Sequence, residues 1–251
     1  MEPGQILANF ILGITSLNAI ALIIFGRSSK VFIEYMGFVL LFLAALLFMQ
    51  VNATIFPVLT EWVYLLMLCV GPCFYFFIKN TLVGPSQSKF LGLLHFLPFL
   101  LLSIPLVLQQ VGMDTSGFLP SLHLKKFLAD PEFSEKTRPA FTWFHGLCLG
   151  SLSGYFLAGL GILVFLRPKS IHFSEQRKVK KWLALICFLF GLLVVLFNVW
   201  QGMILLSWPL EISLTMLEQG MLFDLLVLNA AMHLKPNLVY SFDFGRKLDG
   251  Q

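Results

Sequence analysis

The side chains of this sequence best suited to chemistry sit where they are costly to keep. Glu218, Gln219, Asp224 and Asn229 fall within one apolar run. Asn198 and Gln201 lie in the run before it, and His145 in the run before that. An ionisable group surrounded by hydrocarbon needs a partner or a proton, so such residues mark ligand sites, proton paths or interhelical hydrogen bonds. Two arrangements answer to them. In one, His145, Asn198, Gln201 and Glu218 line an outward-facing pocket between three helices, with Trp143 and Trp200 as aromatic walls; bundle ligand sites place a few polar groups on apolar walls in this way. In the other, the same groups bond helix to helix, Glu218 to Asn198 and Asp224 to Ser153 or Tyr155. Asp224, Asn229 and His233 share the last run and are candidates for signal transmission or for buried polar pairing.

Catalytic patterns are missing. The sequence holds no His-Glu-x-x-His helix, no Gly-x-Ser-x-Gly elbow and no phosphate-binding glycine loop. The expectation is a protein that is not an enzyme and carries no cofactor. Cys69, Cys73, Cys148 and Cys187 all fall in apolar segments, where a thiol behaves as a small hydrophobe. Cys69 and Cys73 share a helical face, but zinc requires more ligands than two. Neither a metal nor a disulfide is expected.

The elements that position these residues follow from composition. Of 251 residues, 58% are hydrophobic and 12% charged, about half the charged fraction of a soluble domain. Apolar runs long enough to cross ~30 Å of hydrocarbon recur along the chain. They predict an all-α, polytopic membrane protein with about seven spans: 6–25, 31–51, 61–78, 90–108, 140–166, 182–206 and 210–233. Residues 1–236 then form the membrane domain and 237–251 a short tail. Residues 109–139 form the one long loop, in which 119–128 has the pattern of a surface-lying amphipathic helix. Pro139 suits the first turn of the fifth span.

Basic residues set the orientation. With the N-terminus outside, thirteen of the seventeen Lys and Arg residues fall on the cytoplasmic side, as the positive-inside rule requires. The remaining four share the long loop with four acids. The C-terminus is then cytoplasmic, and the start Met1-Glu2-Pro3-Gly4, lacking a basic region, reads as leading into a retained span. The basic stretch 167–181 suits anionic lipid rather than nucleic acid. Trp62, Trp143, Trp182 and Trp208 lie near span ends, where indoles anchor at the headgroups.

Gly146, Gly150, Gly154 and Ala158 recur every fourth residue, so they line one helix face and admit close packing, either within the bundle or at a homodimer seam. Glu34 and His95 lie at similar depth near the inner ends of their spans; they pair, or Glu34 reaches the interface, and no role follows from either alone.

Short motifs add a resemblance. The third span reads Gly71-Pro72-Cys73-Phe74-Tyr75-Phe76-Phe77-Ile78-Lys79-Asn80-Thr81-Leu82. The fourth brings His95-Phe96-Leu97-Pro98, and Leu234-Lys235-Pro236 follows the seventh. This resembles the seven-helix membrane sensor at the N-terminus of bacterial membrane-bound AraC-type transcriptional regulators, with its "GP-x-x-Y-x-Y-x-K-S-L", "H-F-x-P" and "L-K-P" elements. The resemblance implies a multi-pass protein of the bacterial inner (plasma) membrane that passes an external or membrane cue to a cytoplasmic, transcriptional output. Residues 237–251 are too few for the helix-turn-helix unit of that family, so the expectation is either a truncated or split sensor or a stand-alone relative that signals through a partner. Expected partners are the bilayer, a second copy and a small ligand from the outer side. The competing class is a small transporter or channel-like protein using Glu218 and Asp224.

Overall fold

The computed structural model describes residues 3–26, 32–52, 57–84, 89–110, 131–165, 173–205 and 211–234. Among them every regular element is an α-helix: α1 (Pro3–Phe25), α2 (Ile33–Val51), α3 (Pro57–Val83), α4 (Lys89–Leu94), α5 (Leu97–Gln110), α6 (Pro131–Phe165), α7 (Phe173–Leu205) and α8 (Glu211–His233). Four contain stretches long and apolar enough to cross a membrane, at Gly4–Phe25, Leu65–Val83, Thr142–Phe165 and Lys178–Met203. The shorter apolar stretch Ile33–Met49 belongs to α2, whose 19 residues reach about 28 Å.

The outer surface is apolar along whole helix faces, consistent with a helical membrane protein. Along α1, Leu7, Phe10, Ile14, Leu17 and Ile24 are exposed, while Ala8, Leu12, Thr15, Ala19 and Leu22 are buried. Both faces are apolar, and the exposed one follows the helical period. In water such a stripe would be an aggregation patch; in hydrocarbon it carries no penalty. The backbone polar groups are satisfied within helices, as a bilayer demands.

α3 is the hub. It packs against α2, α5 and α6, and Phe74 stacks on Phe190 of α7 with ring centres 3.8 Å apart. α1 pairs with α2, α7 with both α6 and α8, and α8 returns to α1 and α2. Glycine allows two of these close approaches. A Cβ on Gly37 of α2 would lie 2.8 Å from the Ala19 carbonyl oxygen of α1. One on Gly71 of α3 would lie 3.2 Å from the Ser151 carbonyl oxygen of α6. Small residues at such crossings replace the missing hydrophobic drive with van der Waals contact between backbones.

Several boundaries differ from the hydropathy reading. The stretch expected as a single fourth span is broken into α4 and α5 at His95 and Phe96. Pro98 has no N–H to give the Leu94 carbonyl, and its ring crowds that turn. Tight bonds replace the helical ones, from His95 N–H to Gly92 O at 3.3 Å and from Phe96 N–H to Leu93 O at 3.0 Å. α6 begins at Pro131, so Pro139 lies inside it rather than at its first turn, and the last nine residues of the expected loop are helical. α7 likewise begins at Phe173, within the basic stretch. Hydropathy marks only the part in hydrocarbon, whereas Lys, Arg, Glu and Gln propagate a helix well beyond it. The expected surface helix 119–128 and tail 237–251 lie outside the described residues.

Candidate functional site

The polar residues of the expected pocket do gather on facing helices. The Asn198 amide on α7 donates to the Ser153 hydroxyl on α6 at 3.2 Å and to its own Val194 carbonyl at 2.7 Å. One turn on, the Gln201 amide interacts with the His145 ring of α6, although its geometry falls short of a full hydrogen bond. His145 is 2% exposed, Gln201 1% and Trp200 1%. Trp200 stacks on Phe197, and its indole nitrogen has no hydrogen-bond partner among the described residues. Trp143 is exposed and so faces away from them. These side chains are packed, and a ligand would have to part α6 from α7 to reach them. Glu218 on α8 is partly buried.

Neither bond expected of Asp224 is formed. Ser153 is taken by Asn198, and Tyr155 is bonded to His95, so neither serves Asp224. Asp224 is 3% exposed, and its Oδ2 has no hydrogen-bond partner among the described residues. A buried carboxyl in this condition is costly while ionised. Asn229, also buried, accepts a hydrogen bond from the side-chain amide of Asn18 on α1. His233 is exposed in the last turn of α8.

Trp182 is a correction. It was expected to anchor at the headgroups, yet it is 3% exposed. Its indole N–H donates to the Ala231 carbonyl of α8 at 3.1 Å, and its ring meets Phe77 of α3 edge-on. The Ala231 carbonyl also accepts the Leu234 N–H at 3.3 Å, so Trp182 adds a second donor to the same oxygen near the end of α8.

A second constellation collects the motif residues. The His95 Nδ1 and the Tyr155 hydroxyl are joined by a hydrogen bond of 2.8 Å. The His95 ring sits edge-on to Phe76 at 5.0 Å and tilted against Tyr75 at 5.8 Å. The Lys79 ammonium lies 5.7 Å from the Tyr75 ring centre and 5.9 Å from that of Phe76, within cation–π range. His95 occupies the α4–α5 break, where the departure from helix frees it to reach across to α6. In the sequence Tyr155 stands out only as a possible partner for Asp224. Its spacing on α6 gives no hint of His95, because the pairing depends on how α3, α5 and α6 meet.

The small-residue face of α6 lies open. Gly146, Gly150, Gly154 and Ala158 are all exposed. Among the described residues, nothing lies within 4 Å of where a Cβ would stand at the three glycines. The face therefore makes no tight seam within the described bundle. The four cysteines are buried and free, as expected of small hydrophobes. No group of three or more potential metal ligands occurs among the described residues.

No protein-family model, curated protein or solved structure matches the chain.

Proposed function

We propose that this chain is a seven-helix sensor of the bacterial inner membrane, akin to the membrane region of AraC-type regulators. It enters from the outside and ends in the cytoplasm. The broken pair α4–α5 makes one crossing and the six longer helices make the others. A ligand or membrane cue from the outer side biases α6, α7 and α8, and the shift leaves the membrane along α8 beyond His233. The chain performs no catalysis; its output is cytoplasmic.

The observation that carries this reading is the double attachment at the end of α8. Asn229 is held by Asn18 of α1, and the Ala231 carbonyl is held by Trp182 of α7. A change in the relative position of α1 or α7 must therefore move the final turns of α8 or break one of two bonds. Transmission requires two arrangements that a cue stabilises unequally. A polar clamp between packed helices provides such a pair, bonded and unbonded.

The open face at Gly146, Gly150 and Gly154 supports a homodimer, since small residues at every fourth position let two helix backbones meet. Dimeric sensors would bring two cytoplasmic ends together.

The test joins a DNA-binding output domain after Gln251 and compares reporter expression at matched protein levels. Asn229→Ala, Trp182→Phe and Glu218→Ala should each change output while the protein still inserts. Indifference to all three would remove the sensor reading. A second reading, a small proton-coupled transporter, is favoured by one feature, the buried Asp224 carboxyl. On that reading, Asp224→Asn abolishes a pH-dependent flux in reconstituted vesicles while leaving the reporter unaffected.

A further inference from the structure

Between α6 and α7 lies a groove of about 760 Å³ that begins about one turn from Ser153 and Asn198 and is lined by none of the polar residues of the expected pocket. Its size is that of a small-molecule site. Its floor forms where Phe156 of α6 lies against the α7 backbone. A Cβ on Gly191 would stand 2.7 Å from the Phe156 ring, so glycine is what lets the ring seat there. From that contact the groove runs towards the start of α7, walled by Leu160 and Val164 on one side and by Ala184 and Phe188 on the other. Phe188, Leu192 and Val195 along its rim are exposed, so it opens sideways to the surroundings of the bundle. That surrounding is lipid, given the apolar outer surface.

The lining is apolar except at one end, where Lys180 and Lys181 stand together. They lie near the start of the apolar stretch Lys178–Met203, at the depth where hydrocarbon gives way to headgroups. Lysines here extend their ammonium groups to the interface while their methylene stems stay against apolar surface. Among the described lining residues there is no carboxylate to balance them.

We propose that this groove holds one anionic phospholipid from the leaflet on the Lys180 side, an acyl chain against Phe156 and Phe188 and its phosphate between Lys180 and Lys181. The occupant follows from charge and shape together. An uncharged apolar molecule leaves two ammonium groups unanswered, and a soluble anion leaves the apolar groove unfilled. A phospholipid satisfies both and is already present beside the groove. Basic residues at the surface attract anionic lipid generally; the groove makes the attraction local and lets a single molecule reside. Bound there, the lipid bridges α6 and α7, the helices that hold His145 and Gln201 together.

The test is native mass spectrometry of the purified full chain in a nonionic detergent, titrated with phosphatidylglycerol or phosphatidylcholine of identical acyl chains. The wild type should retain one phosphatidylglycerol with about tenfold preference. Lys180→Gln/Lys181→Gln should bring that retention down to the phosphatidylcholine level. Ala184→Phe, or Leu192→Trp further along α7, should lower retention of both lipids by filling the groove. Lys178→Gln, whose side chain is exposed and outside the groove, should leave retention unchanged. Equal retention of the two lipids by the wild type overturns the proposal. So does a Lys178→Gln loss as large as that of the lysine pair, which would mean diffuse surface charge. Full retention by a folded groove-filling variant overturns the groove itself. Both lysines lie at the groove mouth, and folding of their variant is checked by size-exclusion profile, so that arm decides even if a groove-filling variant fails to fold.

Discussion

The Trp182 indole N–H reaches the Ala231 carbonyl across 3.1 Å, tying the first buried turns of α7 to the last turns of α8. The same indole presents its edge to Phe77 on the hub helix α3. One side chain thus touches the bundle's centre and the helix that leads out of it. With little water to compete, an interhelical bond in a bilayer is broken mainly by finding another protein partner, and such bonds contribute modestly, about 0.6 kcal/mol on average.

Trp182→Phe keeps a ring against Phe77 and removes only the donor. It should lower the thermal midpoint in detergent by a few degrees, matching roughly 1 kcal/mol. Trp182→Ala should cost distinctly more, about 3 kcal/mol, because a buried ring is lost. Equal midpoints for wild type and Trp182→Phe would show that packing alone matters at this position.

Asn18 and Asn229 should behave as a coupled pair. In a double-mutant cycle of Asn18→Ala and Asn229→Ala, the interaction energy should be about 0.6 kcal/mol and no more than about 1.7. The measurement is reversible unfolding in mixed micelles. A coupling of zero would leave α8 attached to α1 by packing only.

Tyr155→Phe deletes the hydroxyl that meets His95, and His95→Phe deletes the ring nitrogen while keeping an aromatic beside Phe76. Each should destabilise by about 1 kcal/mol, and the double variant by less than the sum, since the second change finds the bond already gone. Additive losses would mean that the pair does not act as one.

Gly37 and Gly13 make a matched comparison. Gly37→Ala places a methyl 2.8 Å from the Ala19 carbonyl oxygen and should cost about 1–3 kcal/mol by forcing α1 from α2. Gly13→Ala meets nothing within 4 Å and should be neutral or stabilising by up to about 1 kcal/mol, because alanine favours the helix. Equal effects on the midpoint would remove the close α1–α2 approach.

The homodimer prediction concerns the open face of α6. Gly150→Leu/Gly154→Leu should reduce chemical cross-linking in membranes several-fold while leaving the monomer's thermal midpoint within about 0.5 kcal/mol equivalent. Unchanged cross-linking would move any dimer contact elsewhere.

The all-helical character and the apolar crossings were legible in residue order, because a backbone placed in hydrocarbon has no other way to satisfy its polar groups than to coil on itself. Glu218, Asp224, Asn229, Asn198, Gln201 and His145 stood out for the same reason, as polar groups in runs that should exclude them. Their partners were not legible. Asn229 belongs to Asn18, more than two hundred residues away, and Asn198 belongs to Ser153, pairings set by which helices are neighbours. Trp182 read as an interface anchor from its place at a span end, yet its ring lies inside the bundle, against Phe77 and the Ala231 carbonyl. The glycines of α6 read more readily as packing within the bundle than as a dimer seam, and the packing of α3 and α7 around them left that face outward. Periodicity along one chain fixes which residues share a helix face. Which neighbour that face meets depends on contacts between segments far apart in sequence, and those exist only once the bundle has assembled.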